Sequence, residues 1–208
     1  MWLNRKETAY TCLTILILNV VLNTEKSFNM KEAEKIWIET GYKCFAFNGP
    51  NGLKVERLSK DVGKNKSSFY HLFADLEIFT ERLLEFHLSQ AKAISKKESN
   101  ASSEKELISI ILEHKIDLLF NRQLRIHRNH PEFKEYLDRI FQFSIQGLLP
   151  VWKNIISLSE NGALAQMVLH LSLENFYLQI TDETLNELWL KTYFADIRQM
   201  VFLFKQSK

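Results

Sequence analysis

A lone glycine at position 63 separates two short apolar stripes, and few folds accommodate both. Upstream, Val55, Leu58 and Val62 recur at helical spacing; downstream, Phe69, Leu72 and Phe73 do the same. Glycine can take the positive φ that closes a helix. Residues 52–73, GLKVERLSKDVGKNKSSFYHLF, are therefore expected to form two short helices about a tight turn, a helix-turn-helix. With Leu58, Val62, Phe69 and Phe73 turned inward to clamp the pair, Lys64, Asn65, Lys66, Ser67, Ser68 and His71 are left at the opening and outer face of the second helix. Those are polar donors of the kinds that reach base edges and phosphates in a major groove. The ring of Tyr70 can pack at the base while its hydroxyl reaches the DNA backbone.

The rest of the chain reads as helix. Three prolines and six glycines are all that punctuate 208 residues. Ala33, Trp37, Gly41, Cys44 and Phe45 mark a helix from Met30 to Asn48, ended by the turn cluster NGPNG. Asp75 can cap a fourth helix from 76 to about 97, and the polar run SKKESNASSEK after it reads as a loop. Ser103 and Glu106 form a capping-box pattern before a helix carrying Leu107, Ile111, His114 and Leu118. Pro131 suits a first helical position, and Pro150 is expected to kink or stop that helix. SENGA is a turn, a helix runs on to Ile180, and Thr181 or Asp182 is expected to cap the last one. No strand pattern and no internal repeat is visible, so the expected class is all-α.

Charge and composition narrow the function. The net charge of +2 announces no polyanionic partner, yet residues 54–73 carry Lys54, Arg57, Lys60, Lys64 and Lys66 against only Glu56 and Asp61, a local basic excess. Cys12 and Cys44 are too few for a disulfide framework or a zinc site, which fits a reducing cytoplasm. There is no Gly-rich phosphate loop, no nucleophile beside a base and no carboxylate pair in sequence, so neither an enzyme nor a cofactor is expected. His170 and Glu174, one turn apart, lack the further ligands of a metal site, and RIHRNH (125–130) reads as a solvated loop. Residues 12–22, CLTILILNVVL, follow Asn4-Arg5-Lys6 and resemble part of a signal peptide, but the run is too short to span a bilayer and no small-residue cleavage site follows. The preferred reading makes residues 1–29 an extension outside the fold, either disordered or a mis-assigned start ahead of Met30; export is the competing one.

Residues 30–80 also resemble the N-terminal domain of the TetR/AcrR family of bacterial transcriptional regulators. The resemblance rests on FAFNG (45–49), VERLS (55–59), GKNKSSFYHLF (63–73) and ADLEIF (74–79). It implies a helix-turn-helix domain over 30–75 and a helical effector-binding and dimerisation domain over 76–208. It also carries double-stranded DNA contacts to the third helix and a phosphate contact to Tyr70, so the DNA-binding set is Lys54, Lys64, Asn65, Lys66, Ser67, Ser68, Tyr70 and His71. Two positions depart from the family: Lys64 stands where an apolar residue is usual, and Leu76 where a phosphate-gripping lysine often begins the fourth helix.

In the C-terminal half, Phe141, Trp152, Phe176 and Tyr177, with Glu174 nearby, are the candidate pocket residues. No acid or base in 140–180 falls clearly on an apolar stripe, so an apolar effector is expected. The last helix bears an apolar arc wider than one core contact requires. Leu190, Phe194, Ile197 and Val201, with Leu164, Val168 and Leu171 of the helix before, are the expected homodimer contacts, in a four-helix bundle. Together these features describe a ligand-responsive repressor. The alternative is a helical dimeric small-molecule-binding protein that does not bind DNA.

Overall fold

The computed structural model describes residues 30–206, and the extension expected over 1–29 lies outside the described residues. Every regular element among the described residues is helical: α1 (Glu32–Asn48), a 3-10 turn (Pro50–Gly52), α2 (Val55–Val62), α3 (Lys66–Leu72), α4 (Leu76–Asn100), α5 (Glu104–Glu113), α6 (Lys115–Ile126), α7 (Pro131–Ile155), α8 (Gly162–Gln179) and α9 (Glu187–Gln206). No helix among them is long and apolar enough to cross a membrane.

The described residues from Glu32 onward form one compact unit. Its frame is the pair α4 and α7, each of 25 residues. They approach closely where Gly147 faces Ser95. A Cβ on Gly147 would lie 2.7 Å from the Ser95 carbonyl oxygen, and the Ser95 hydroxyl donates to the Phe143 carbonyl at 2.8 Å. No break in packing falls at residue 75. Phe45 and Tyr42 of α1 stack on Phe120 of α6 at centroid separations of 4.2 and 4.4 Å. The split into 30–75 and 76–208 is therefore retained below as a proposed division of labour.

Several expected boundaries move, each for a local reason. Helix α4 runs on to Asn100 through the polar run expected to be a loop, because Ala91, Ile94 and Glu98 continue its buried face. The helix expected to run unbroken from Ser103 past Leu118 divides at His114. That ring is buried and turns to bond the Asp117 carboxylate through Nδ1 at 2.9 Å, while Nε2 meets Lys97 Nζ at 2.9 Å. Pro150 does not stop α7, which continues to Ile155. Pro150 and Gln146 are both exposed, so water can satisfy the Gln146 carbonyl that loses its partner. Thr181 does not cap the last helix: it closes a short turn with Thr184. Asn186 caps α9 instead, accepting from Trp189 N–H at 3.0 Å.

Candidate nucleic-acid interface

The helix-turn-helix is built as the sequence requires. Gly63 sits at φ 71°, ψ 29°, and its N–H and that of Lys64 close α2 by bonding the Lys60 and Ser59 carbonyls at 3.2 and 3.0 Å. Space around Gly63 is open, so only its backbone angle demands glycine. Beneath the turn, Phe69 touches Trp37, Phe73 and Phe79 at centroid separations of 5.2–5.4 Å. With Leu58 these rings are essentially buried, and they fix how α3 lies on α1, α2 and α4. Asp75 caps α4 as expected, accepting from Ile78 N–H at 2.9 Å.

The outer face of α3 presents Ser67, Tyr70 and His71, all exposed, with Ser68 half-buried. Two residues expected there are already engaged. Asn65 is the N-cap of α3: its side-chain oxygen accepts from the Ser68 N–H at 2.8 Å and hydroxyl at 2.7 Å, so it orders the helix and is not free to read a base through that oxygen. Lys66 lies 2.5 Å from Glu56 of α2, which holds the Glu56 carboxyl below its usual range. Arg57 is likewise paired with Asp61 at 3.7 Å. Lys54, Lys60 and Lys64 are exposed and form no ion pair among the described residues, so they carry the unbalanced positive charge of this face. Lys60 was not among the expected contacts, although the local charge count contained it.

A second feature lies between the long helices and α5, α6, α8 and α9: a cavity of ≈ 70 Å³ with mostly aliphatic and aromatic walls. Trp152, Phe176 and Tyr177 line it, as expected. Phe141 and Glu174 do not. They face an outer depression, where Glu174 pairs with Arg125 and Phe141 lies against His170 at 4.7 Å. The Arg125 guanidinium in turn covers the outside of the Tyr177 ring at 4.4 Å, so Glu174 is drawn outward by charge.

What the sequence did not disclose is how much polarity the cavity wall holds. His87, Glu98 and Asn121 line it, each at most 6% exposed. Burial lowers the His87 imidazole to about 3 and raises the Glu98 carboxyl to about 8. The Tyr42 hydroxyl donates to Asp117 at 2.7 Å and meets His87 Nδ1 at 2.6 Å. Because its one proton goes to the carboxylate, His87 must donate from Nδ1, which leaves Nε2 as a bare acceptor. Nε2 has no partner, and neither has the Asn121 side-chain oxygen, whose amide nitrogen donates to Tyr177 at 3.1 Å. Trp152 Nε1–H, a donor, is also unpartnered. Each such group costs about 1–3 kcal/mol when left unmet.

No family model matches the chain. A stretch of 58 residues, 28% of the chain, is 40% identical to the HTH-type transcriptional repressor AcnR of Corynebacterium diphtheriae, and spans 28% of that relative's length. The crystal structure of a TetR-family transcriptional regulator from Rhodococcus sp. superposes with a TM-score of 0.51, over 86% of this chain and 98% of that one, at 16% identity. The fold is that of the TetR family.

On this TetR fold the expected dimer contacts separate into two sets. Val168, Leu190, Phe194, Ile197 and Val201 are buried within their own chain, Leu190 completely, and pack into its core. Leu164 and Leu171 are exposed, as are Met167 and Leu178 on the same helix. The seven-residue spacing of Leu164, Leu171 and Leu178 aligns them along one face of α8. On α9, Leu188, Met200 and Phe202 are also exposed. The apolar arc read from the sequence is therefore real but serves two surfaces, its centre facing the core and its flanks facing outward.

Proposed function

We propose that the protein is a DNA-binding transcriptional repressor that acts as a homodimer and is released by a small molecule held in the C-terminal cavity. The observation that carries this reading is the α2–Gly63–α3 unit, with a polar outer face (Ser67, Tyr70, His71) flanked by three unpaired lysines, on a fold shared with a TetR-family regulator. The name of the AcnR relative supports the repressor sign. In this mechanism each subunit lays α3 in a major groove, and Lys54, Lys60 and Lys64 grip phosphates on either side. Two copies meet through the exposed faces of α8 and α9. A ligand that favours a different separation of the two reading heads lowers DNA affinity.

A mobility-shift assay on the DNA upstream of the protein's own gene tests the reading. The protein is expected to bind there as a dimer. Lys64→Ala should weaken binding to all sequences and reduce the salt slope by about one. Lys66→Ala should cost less, because Glu56 already offsets its charge. No retarded band at low salt would leave the alternative, a helical ligand-binding dimer without DNA binding, for which Leu76 in place of a phosphate-gripping lysine is the supporting feature.

A further inference from the structure

The cavity wall is unbalanced in a way that specifies chemistry. His87 Nε2 and the Asn121 side-chain oxygen are acceptors without donors, and the Glu98 carboxyl faces the same space with no ion pair among the described residues. They come from two elements, α4 and α6, so no single helix accounts for them. Trp152 Nε1 is the unpartnered donor among the described cavity residues, and it suits a single oxygen or a water. Around them lie Ile94, Leu107, Ile111, Leu148 and the rings of Phe176 and Tyr193, which favour a short apolar body and can face a cation. The volume of ≈ 70 Å³ is about half that of the ~150 Å³ engineered cavity that takes benzene, so the body is a few carbons long.

We propose that this cavity is the receptor for a small organic ammonium ion, with Glu98 as its counter-ion and the lone pairs of His87 Nε2 and the Asn121 oxygen accepting its N–H groups. The expectation of a purely apolar effector is thereby replaced. The proposal deepens the reading of the C-terminal half as an effector domain and rests on it. Binding is coupled to one proton: Glu98 gives up its proton as the ammonium ion enters, and the pair carries no net charge. His87 and Tyr177 are held neutral by burial, at about 3 and about 12, Tyr193 is raised as well, and Asp117 is already engaged by Tyr42 and His114. Below pH 8 affinity for the ion should rise roughly tenfold per pH unit.

The test uses the full chain, without DNA, and n-alkylammonium ions from ethyl to hexyl beside the alkanols and carboxylates of equal length, read by calorimetry and thermal shift. Ammonium ions are expected to bind at least tenfold more tightly than the matching alkanols, with release of about one proton at pH 7 and an optimum chain length. In Glu98→Gln, which keeps the shape and removes the charge, that preference should vanish. The melting temperature of this variant reports that it still folds. Alkanols binding as well as ammonium ions, or an ammonium preference that survives Glu98→Gln, would overturn the proposal. Because DNA is absent, failure of the helix-turn-helix to bind an operator leaves this result unaffected, and loss of ammonium selectivity leaves the DNA reading standing.

Discussion

Glu98 and His87 pull the stability of the protein in opposite directions with pH. The Glu98 carboxyl is raised from 4.5 to about 8, so below pH 4.5 folded and unfolded chains both hold its proton and folding costs nothing there. As pH rises from 4.5 through 8 the unfolded chain releases the proton first, and stability falls by an amount on the order of several kcal/mol. His87 is lowered from 6.5 to about 3, so its neutral burial contributes no penalty above 6.5 and stability is lost as pH falls from 6.5 through 3. Between 4.5 and 6.5 the two slopes oppose each other. A melting-temperature profile should therefore be highest and flattest in that window and descend by pH 8. Glu98→Gln should abolish the descent while leaving the acid side unchanged. An unchanged alkaline slope would mean that Glu98 is not held protonated. At this scale the sequence was a partial guide. Gly63 announced its own backbone angle, since little besides a helix end needs such a residue between two stripes. Glu98 was hidden within SKKESN, where a buried acid is indistinguishable from its solvated neighbours.

The elements were easiest to read where a stripe and a cap agreed. Asp75 before Leu76 and Ser103 before Glu106 set two helix starts, and in both cases the side chain bonds the expected backbone N–H. They were hardest to read where a tertiary contact decided the matter. His114 breaks a helix whose apolar spacing never lapses, because its ring finds Asp117 and Lys97, partners brought near only by folding. The closest helix approach was equally silent. Gly147 looks like any helix-weakening glycine until α4 lies against it. Gly147→Ala places a methyl group against the Ser95 backbone, which cannot yield as a flexible side chain would. The substitution should cost about 1–3 kcal/mol despite the better helix propensity of alanine. Urea denaturation measures this, and a gain in stability would show that α4 and α7 have room to separate.

Across the whole molecule, the exposed apolar flanks of α8 and α9 set the assembly proposed above. Leu171, 65% exposed at the middle of the α8 face, is the place to probe it. Leu171→Glu should convert a dimer to a monomer in sedimentation or light scattering while moving the protomer's own melting transition little, since the side chain touches no core. A dimer that persists would place the interface elsewhere. This was the scale at which sequence said least: periodicity located the apolar residues of the last two helices, but an arc that serves a core and a flank at once cannot be divided until the chain's own burial is known.

The imidazole of His87 is the wall of the cavity on one side and the hydrogen-bond partner of Tyr42 on the other, and Tyr42 belongs to α1, which packs against the proposed reading head. Pocket and head are thus one side chain apart. If the ammonium ion and the operator prefer different settings of that ring, their affinities are bound by reciprocity: the factor by which the ion loosens DNA is the factor by which DNA loosens the ion. A cell with many operator copies would then need more amine to obtain the same response, so the threshold of such a switch would be set by the DNA it guards as much as by the ligand it senses.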